Sequence, residues 1–208
     1  LRLNPMRQVP VLVLDDGTAI SETVAICRYF EEMQPEPALF GKGAVGRATV
    51  EMWQRRMELG LLQHVAAAFR HTHPAAAVLE VPQFKEFGEA NKARAVAALG
   101  VMDAQLATAK FLAGDEFSIA DITGLIAIDF MRPARIQMPP ELTHLARWHA
   151  EVSARPSASK FGTTRAVGKL WPFPTITSSA MSGCAFRTFS IGWGAIFFPA
   201  DVTMRSFL

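Results

Sequence analysis

The chain has 208 residues, of which half are hydrophobic and 19% are charged, and its formal net charge is +2. This balance excludes the strongly basic surface typical of nucleic-acid-binding proteins, and the length suits one large domain or two small ones. The two cysteines, Cys27 and Cys184, make no disulfide framework and favour a reducing, cytoplasmic compartment. Neither a signal-peptide pattern nor a run of about 18 apolar residues occurs, so we expect no membrane partner.

Residues 4–32 have the pattern of two strands followed by a helix. Val9 to Leu14 is a short apolar run typical of a buried strand, with Pro10 at its entrance, where a proline is tolerated. Asp16-Gly17 predicts a tight type I′ turn, because glycine adopts a positive φ without steric cost. From Ser21 onward the apolar residues follow a helical period, which predicts a helix with its apolar face at Ile26, Phe30 and Met33.

This stretch resembles the second half of the thioredoxin-like domain of cytosolic, bacterial theta-like glutathione transferases. The family pattern runs N-P-x-x-x-V-P-x-L, then D-G, then E-S-x-A-I-x-x-Y-L. It corresponds here to Asn4-Pro5, Val9-Pro10, Leu12, Asp16-Gly17, Glu22-Thr23-Val24-Ala25-Ile26 and Tyr29-Phe30. Thr23 replaces the usual serine and keeps the hydroxyl group.

The resemblance implies that the chain binds glutathione as co-substrate. Pro10 would be cis, which would leave the Val9 backbone free to pair with the cysteinyl part of glutathione. Glu22 and Thr23 would hold the γ-glutamyl end, because helix N-terminal N–H groups and a hydroxyl suit a carboxylate while a glutamate suits an ammonium group. The alternative, that Glu22 and Thr23 only cap a helix, stays open.

The family resemblance also implies a β-α-β unit before Leu1 that carries the catalytic Tyr, Ser or Cys. We therefore assign no catalytic residue within the chain and expect it to be a fragment with little or no turnover. Cys27 and Tyr29 lie inside the first helix and are interpreted as packing residues.

Residues 1–35 are thus predicted to be a partial thioredoxin-like domain, followed by a linker at 36–45 that is dense in Pro and Gly. Apolar residues at helical spacing then predict one long helix over 46–73. By resemblance, this helix lines the electrophile cleft and contributes to a homodimer interface. The candidate cleft residues are Met57, Leu61 and His64, and the alternative is that they belong to the core of a helical bundle.

A metal site is not expected. His64, His71 and His73 lie on or near the same helix, but His71 and His73 are two residues apart and do not face each other. No cysteine or acidic ligand completes a zinc pattern nearby.

A second helix is predicted over 82–110, a short extended crossing over 111–115, and then a capping box. Ser118 is a good N-cap, Asp121 stands three residues later, and Phe117 can pack on Ile122 as a hydrophobic staple. The motif resembles the F-S-I-A-D segment of the family's helical domain. Its role is structural, and we do not assign Asp121 to catalysis.

The last predicted helix follows Pro139-Pro140 and ends at Arg155-Pro156, which completes an all-helical domain over 46–160. Residues 161–208 are rich in aromatic residues, Ser, Gly and Pro, and no family motif continues there. An apolar extension that packs on the helices is one interpretation. We favour the other, an atypical tail that is not part of the fold.

The predicted fold class is α+β and mostly helical, with a ββα half-domain followed by an all-α domain. The predicted function is conjugation of the glutathione thiolate to a small hydrophobic electrophile, in a weakly active or inactive form. The alternative is a non-catalytic glutathione-transferase-like interaction module. A reductase or dehalogenase variant would depend on a residue before Leu1.

Overall fold

The computed structural model describes residues 3–6, 8–159, 186–191 and 194–199. The chain forms two compact units. The first contains the described residues up to Ala38 together with two strands, β3 (Phe186–Ile191) and β4 (Gly194–Pro199), which pair as an antiparallel hairpin. The second begins at Leu39, so the boundary falls within the predicted linker 36–45. Most of 161–208 lies outside the described residues, and the expectation for that tail stays a prediction.

The first unit begins with the hairpin of β1 (Val11–Val13) and β2 (Ala19–Ser21). The predicted type I′ turn is wrong. The loop has three residues, and it is closed by hydrogen bonds from Gly17 N to Leu14 O and from Leu14 N to Thr18 O, both 2.9 Å. Gly17 has a φ of 86°, whereas Asp16 is not at positive φ and a type I′ turn needs two such residues. This arrangement is typical of three-residue hairpins with a glycine bulge.

Helix α1 (Thr23–Met33) packs on this hairpin. Leu12 from β1 and Ile26 and Phe30 from the helix form a small buried core, with Cys27 and Tyr29 partly buried against it. Burial of these side chains orients the start of α1 relative to the end of β2, where the candidate site lies.

The second unit opens with α2 (Gly43–Met57), a π-helical turn (Glu58–Leu62) and α3 (Gln63–Thr72), which run on without a break. The helix predicted over 46–73 is therefore present, but it begins inside the predicted linker and contains a π-turn. The π-turn was not predicted, because the spacing of four between Trp53, Met57, Leu61, Val65 and Phe69 also fits an uninterrupted helix.

A short 3-10 helix (Pro74–Ala76) and four further α-helices complete the second unit: α4 (Lys85–Leu106), α5 (Ile119–Met131), α6 (Thr143–Ser153) and α7 (Pro156–Ser159). Helix α4 is shorter at both ends than the predicted 82–110. The crossing predicted at 111–115 is a tight turn, in which Phe111 N donates to Gly114 O at 2.8 Å.

One apolar core runs through helices α2 to α6. Its largest fully buried side chains include Met57, Leu61, Leu99, Met102 and Trp148. Among the helices of the described ranges, none combines the length and apolarity needed to cross a membrane.

Candidate functional site

The candidate site begins at the approach to β1. Asn4 is buried, and its Nδ2 donates to Gln8 O at 2.7 Å while its Oδ1 accepts from Met6 N at 3.0 Å. These two bonds fold the approach loop back on itself. The Val9-Pro10 peptide that follows is cis, as predicted from the resemblance.

Val9 lies on the surface, with 61% of its area exposed. Its backbone N–H and C=O bond to no other described residue. Val9 thus presents an unused donor and acceptor next to the hairpin, which an extended peptide segment can pair with.

Strand register brings the other two predicted residues to the same end of the hairpin. Val11 pairs with Ser21, so the chain before Val11 and the chain after Ser21 leave the hairpin together. Val9 and Pro10 directly precede Val11, and Glu22 and Thr23 directly follow Ser21, so all four residues flank the same end of the hairpin. The structure therefore places Val9, Pro10, Glu22 and Thr23 at one edge of the first unit.

Glu22 has an unusual backbone. Its φ is 70° and its ψ 123°, in the left-handed half of the map that non-glycine residues seldom adopt. Its side chain is exposed and makes no capping hydrogen bond to α1. The interpretation that Glu22 only caps the helix therefore gains no support, and a strained, exposed carboxylate at a surface edge is typical of a binding residue.

Thr23 is the first residue of α1 and is partly buried. The first N–H groups of a helix have no partner within it and favour an anion. Together the edge offers an extended backbone, a helix N-terminus with a hydroxyl, and a carboxylate. This set can bind a short peptide that carries both a carboxylate and an ammonium group.

Cys27 is a poor nucleophile. Burial, with a smaller effect from the Glu31 carboxylate, raises the pKa of its thiol from 9.0 to about 11. The thiolate is the reactive form, so Cys27 is a packing residue near neutral pH. Tyr29 likewise packs, edge-on, against Phe30 with ring centroids 5.6 Å apart.

The three candidate cleft residues do not share one environment. Met57 and Leu61 are 2% and 0% exposed and belong to the helical core, which agrees with the bundle-core alternative. His64 is partly exposed, and its Nδ1 lies 2.8 Å from Asn91 Oδ1, across the contact between α3 and α4. Asn91 Nδ2 donates to Phe87 O at 2.8 Å. His64 therefore joins two helices, and a role in a cleft stays a prediction.

Ser118 and Asp121 form the predicted capping box at the start of α5. Asp121 Oδ2 accepts from Ser118 N at 2.9 Å and from Ser118 Oγ at 3.0 Å. Asp121 Oδ1 accepts from Leu112 N at 3.0 Å and from Trp148 Nε1 at 2.8 Å. All four partners are structural, so Asp121 stabilises the helical unit. Phe117 packs on the ring of Phe111.

His71 and His73 are structural too. His71 Nδ1 accepts from Phe84 N at 3.1 Å, and His73 Nδ1 accepts from Ala75 N at 3.2 Å. Within the described ranges, no group of three or more His, Cys, Asp or Glu side chains lies close enough to hold a metal ion.

Sequence reasoning missed the part played by Asn4. The residue belongs to the quoted pattern, but its role in folding the approach loop depends on a buried side chain bonded to the backbone on two sides. An Asn-Pro pair before a strand indicates such a turn, since asparagine side chains commonly bond to nearby backbone groups.

Comparison with known proteins identifies the family. Residues 1–33 match the model of the glutathione S-transferase N-terminal domain, and residues 56–156 match that of the C-terminal domain. Glutathione S-transferase 2 of Saccharomyces cerevisiae is 36% identical over 153 residues, which are 73% of this chain and 66% of that protein. The chain thus spans about two thirds of that relative. The chain belongs to the glutathione S-transferase family.

The solved structures agree. The crystal structure of Gtt2 from Saccharomyces cerevisiae superposes with a TM-score of 0.72 at 35% identity, covering 76% of this chain and 77% of that one. The mostly helical fold class, with a thioredoxin-like part and a helical domain, is confirmed. A more distant similarity is to elongation factor 1-gamma 3 of Oryza sativa subsp. japonica, which is 26% identical over 77% of this chain and 38% of the rice protein.

Proposed function

We propose that this glutathione S-transferase family member binds glutathione at the edge formed by Val9, Pro10, Glu22 and Thr23. The observation that supports the proposal most is Glu22, which holds an exposed carboxylate on a backbone at φ 70° beside the cis Val9-Pro10 peptide. A backbone strained in this way is retained where the surrounding structure uses it.

Each part of glutathione has a partner of suitable chemistry in this proposal. The cysteinyl amide pairs with the free N–H and C=O of Val9, like an added strand. The γ-glutamyl carboxylate accepts from the N-terminus of α1 and from the Thr23 hydroxyl, while the Glu22 carboxylate pairs with the ammonium group.

The proposed reaction is conjugation. The thiolate of glutathione attacks an electrophilic carbon of a small hydrophobic molecule, forming a thioether and releasing the leaving group with its electron pair. Cys27 takes no part, because its raised pKa keeps the thiol protonated. Homodimer formation belongs to the same proposal and follows the pattern of the family.

Retention on immobilised glutathione tests the binding site. Glu22→Ala should elute earlier than the wild-type chain, whereas Glu32→Ala, an exposed glutamate at the other end of α1, should elute with it. Loss of one charged hydrogen bond should weaken binding about tenfold or more. Equal retention of all three proteins would remove the site assignment.

The second candidate function is a non-catalytic interaction module. The similarity to the rice elongation factor 1-gamma 3 favours it. A module of this kind has no need of Glu22 and Thr23 beside Val9-Pro10. A chain that fails to bind glutathione, yet folds with the expected helix content by circular dichroism, would support the module.

A further inference from the structure

The side-chain amide of Asn4 bonds to two backbone groups of different kinds. Its Oδ1 accepts from Met6 N at 3.0 Å, and its Nδ2 donates to Gln8 O at 2.7 Å. One partner can only donate and the other can only accept, so each end of the amide has a fixed role. Asn4 is 6% exposed, whereas Gln8 and Val9 lie on the surface. The carbonyl of Gln8 therefore points from the surface loop toward a buried side chain.

The bond to Gln8 O also fixes the direction of a group that Asn4 does not touch. Gln8 C=O and Val9 N–H belong to one planar peptide group, and in a trans peptide they point in opposite directions. In the described part of the chain, the cis peptides all precede proline, so the Gln8-Val9 peptide is trans. Since Gln8 O faces Asn4, Val9 N–H faces away from it.

The N–H of Val9 is kept free in this orientation. No described residue accepts a hydrogen bond from it, and 61% of Val9 is exposed. If the peptide turned over, the N–H would face Asn4 Nδ2, which is a donor and cannot accept. The buried amide therefore favours the orientation that leaves the Val9 donor available to a ligand.

We infer that Asn4 is a positioning residue for glutathione, which acts through the Gln8-Val9 peptide and not by contact. The inference rests on the proposed function, in which the cysteinyl amide of glutathione pairs with Val9. The cysteinyl carbonyl accepts from Val9 N–H. In the turned-over peptide, Gln8 O would face that carbonyl instead, and the two oxygens repel each other. The competing explanation is that Asn4 only stabilises the turn of the approach loop.

Asn4→Asp tests the orientation without any ligand. The variant keeps the shape of the side chain and the acceptor for Met6 N, but it replaces the donor with a carboxylate oxygen that faces Gln8 O. The peptide should turn over, so that Val9 N–H donates to the introduced carboxylate. Solvent exchange of Val9 N–H, measured by NMR of the isotope-labelled chain near neutral pH, should slow by at least about tenfold. Exchange at the wild-type rate would overturn the inference, because the orientation would then not depend on Asn4.

Calorimetric titration with glutathione measures the consequence for binding. Asn4→Asp should bind glutathione about tenfold more weakly than the wild-type chain, because one hydrogen bond to the ligand is lost. Asn4→Ser should weaken binding to a similar extent, since its hydroxyl can still accept from Met6 N but is too short to hold Gln8 O. If Asn4→Asp does not fold, wild-type affinity in Asn4→Ser overturns the inference.

Gln83→Glu is the matched control for the change from amide to carboxylate. Gln83 lies in the second unit, and its Nε2 donates to two backbone carbonyl oxygens, at 2.6 and 3.0 Å. The variant loses bonds of the same kind as Asn4→Asp does, and it should bind glutathione like the wild-type chain. An equal loss of affinity in both variants would show that the effect is not specific to the approach loop and would overturn the inference.

Amide resonances separate this inference from the proposed function. Saturating glutathione should shift the resonances of Val9 and Thr23 in the wild-type chain, whereas in Asn4→Asp the shift at Val9 should be lost and that at Thr23 kept. Weaker binding with unchanged exchange at Val9 would mean that Asn4 acts only on the loop, and the inference would be wrong. A wild-type chain that does not bind glutathione would refute the proposed function, whereas slower exchange of Val9 N–H in Asn4→Asp would still support the orientation by Asn4.

Discussion

The indole Nε1 of Trp148 donates a 2.8 Å hydrogen bond to Oδ1 of Asp121, and both side chains are completely buried. Trp148 lies on α6 and Asp121 on the first turn of α5, so one bond ties two helices together. The same carboxylate accepts from Leu112 N and from Ser118. A capping box that looks local in the sequence is therefore also the polar centre of the helical unit.

Asp121→Ala should destabilise the protein severely. The substitution leaves the N–H groups of Trp148, Leu112 and Ser118 buried without an acceptor, and each such group costs about 1–3 kcal/mol. We expect the free energy of unfolding in urea to fall by about 3–5 kcal/mol. Asp115→Ala, an exposed neighbour, should change it by less than about 0.5 kcal/mol. A loss below about 1 kcal/mol in Asp121→Ala would show that the bonds to this carboxylate contribute little.

The same carboxyl group gives stability a pH dependence of defined sign. Burial raises the pKa of Asp121 above its ordinary 3.8, and this effect outweighs the hydrogen bonds that lower it. Between 3.8 and the raised value, the folded protein holds more protons than the unfolded chain. The contribution of Asp121 to stability is therefore full below the unfolded pKa and is lost as pH rises through the folded pKa.

Asp121→Asn isolates this effect, because the amide does not titrate. The free energy of unfolding of the wild type minus that of Asp121→Asn should decrease from about pH 4 upward and then become constant. Urea unfolding of both proteins across about pH 4 to 7 measures the difference. A difference that grows with pH would mean that the hydrogen bonds hold the folded pKa below 3.8.

Two glycines of α4 should respond oppositely to the same substitution. A Cβ on Gly88 would fall on the Thr72 side-chain methyl and lie 3.0 Å from His71 Cβ. Thr72 cannot easily turn away, because its hydroxyl donates to Ala68 O at 2.7 Å. Gly88→Ala should therefore cost about 1–3 kcal/mol through overpacking between α3 and α4.

Gly100 is the matched case. It is exposed on the same helix, and a Cβ there meets no atom within 4 Å. Gly100→Ala should raise the free energy of unfolding by about 0.5–1 kcal/mol, because alanine loses less backbone entropy in a helix. Thermal unfolding followed by circular dichroism measures both variants. Effects of the same sign would contradict the contact at Gly88.

Much of the fold follows from local pattern. The apolar spacing from Trp53 to Phe69 predicts a helix without any knowledge of the residues that pack against it. Ser118 and Asp121, three residues apart, predict a helix start because a capping box consists of short-range hydrogen bonds. The pair Val9-Pro10 before a strand, followed by Glu22-Thr23, predicts a candidate site at the end of the hairpin where Val11 pairs with Ser21.

Other features depend on contacts between distant residues. Apolar residues at helical spacing can line a ligand cleft or fill a helical core. Met57 and Leu61 were therefore named as candidate cleft residues, although both lie in the core. The turn at Gly17 was assigned one residue too short, since Asp-Gly suits two- and three-residue loops alike. The φ of Glu22 could not be predicted, because glutamate has no preference for the left-handed region.

Glu22→Gly tests whether the strained backbone of Glu22 costs stability and whether its carboxylate binds glutathione. If Glu22 is held at φ 70° for the sake of its carboxylate, glycine relieves the strain and removes the ligand group in one step. Stability should rise by about 0.4–1 kcal/mol, while binding to immobilised glutathione should weaken about tenfold or more. Few substitutions are expected to improve folding and weaken binding together, so the combination is specific to this explanation.

Glu22→Gln completes the comparison. It keeps the strained backbone and the shape of the side chain but removes the charge that would pair with an ammonium group. We expect wild-type stability with retention as weak as that of Glu22→Gly. If Glu22→Gln is retained like the wild type, the carboxylate does not contact glutathione, and the left-handed residue serves only to lead the chain from β2 into α1.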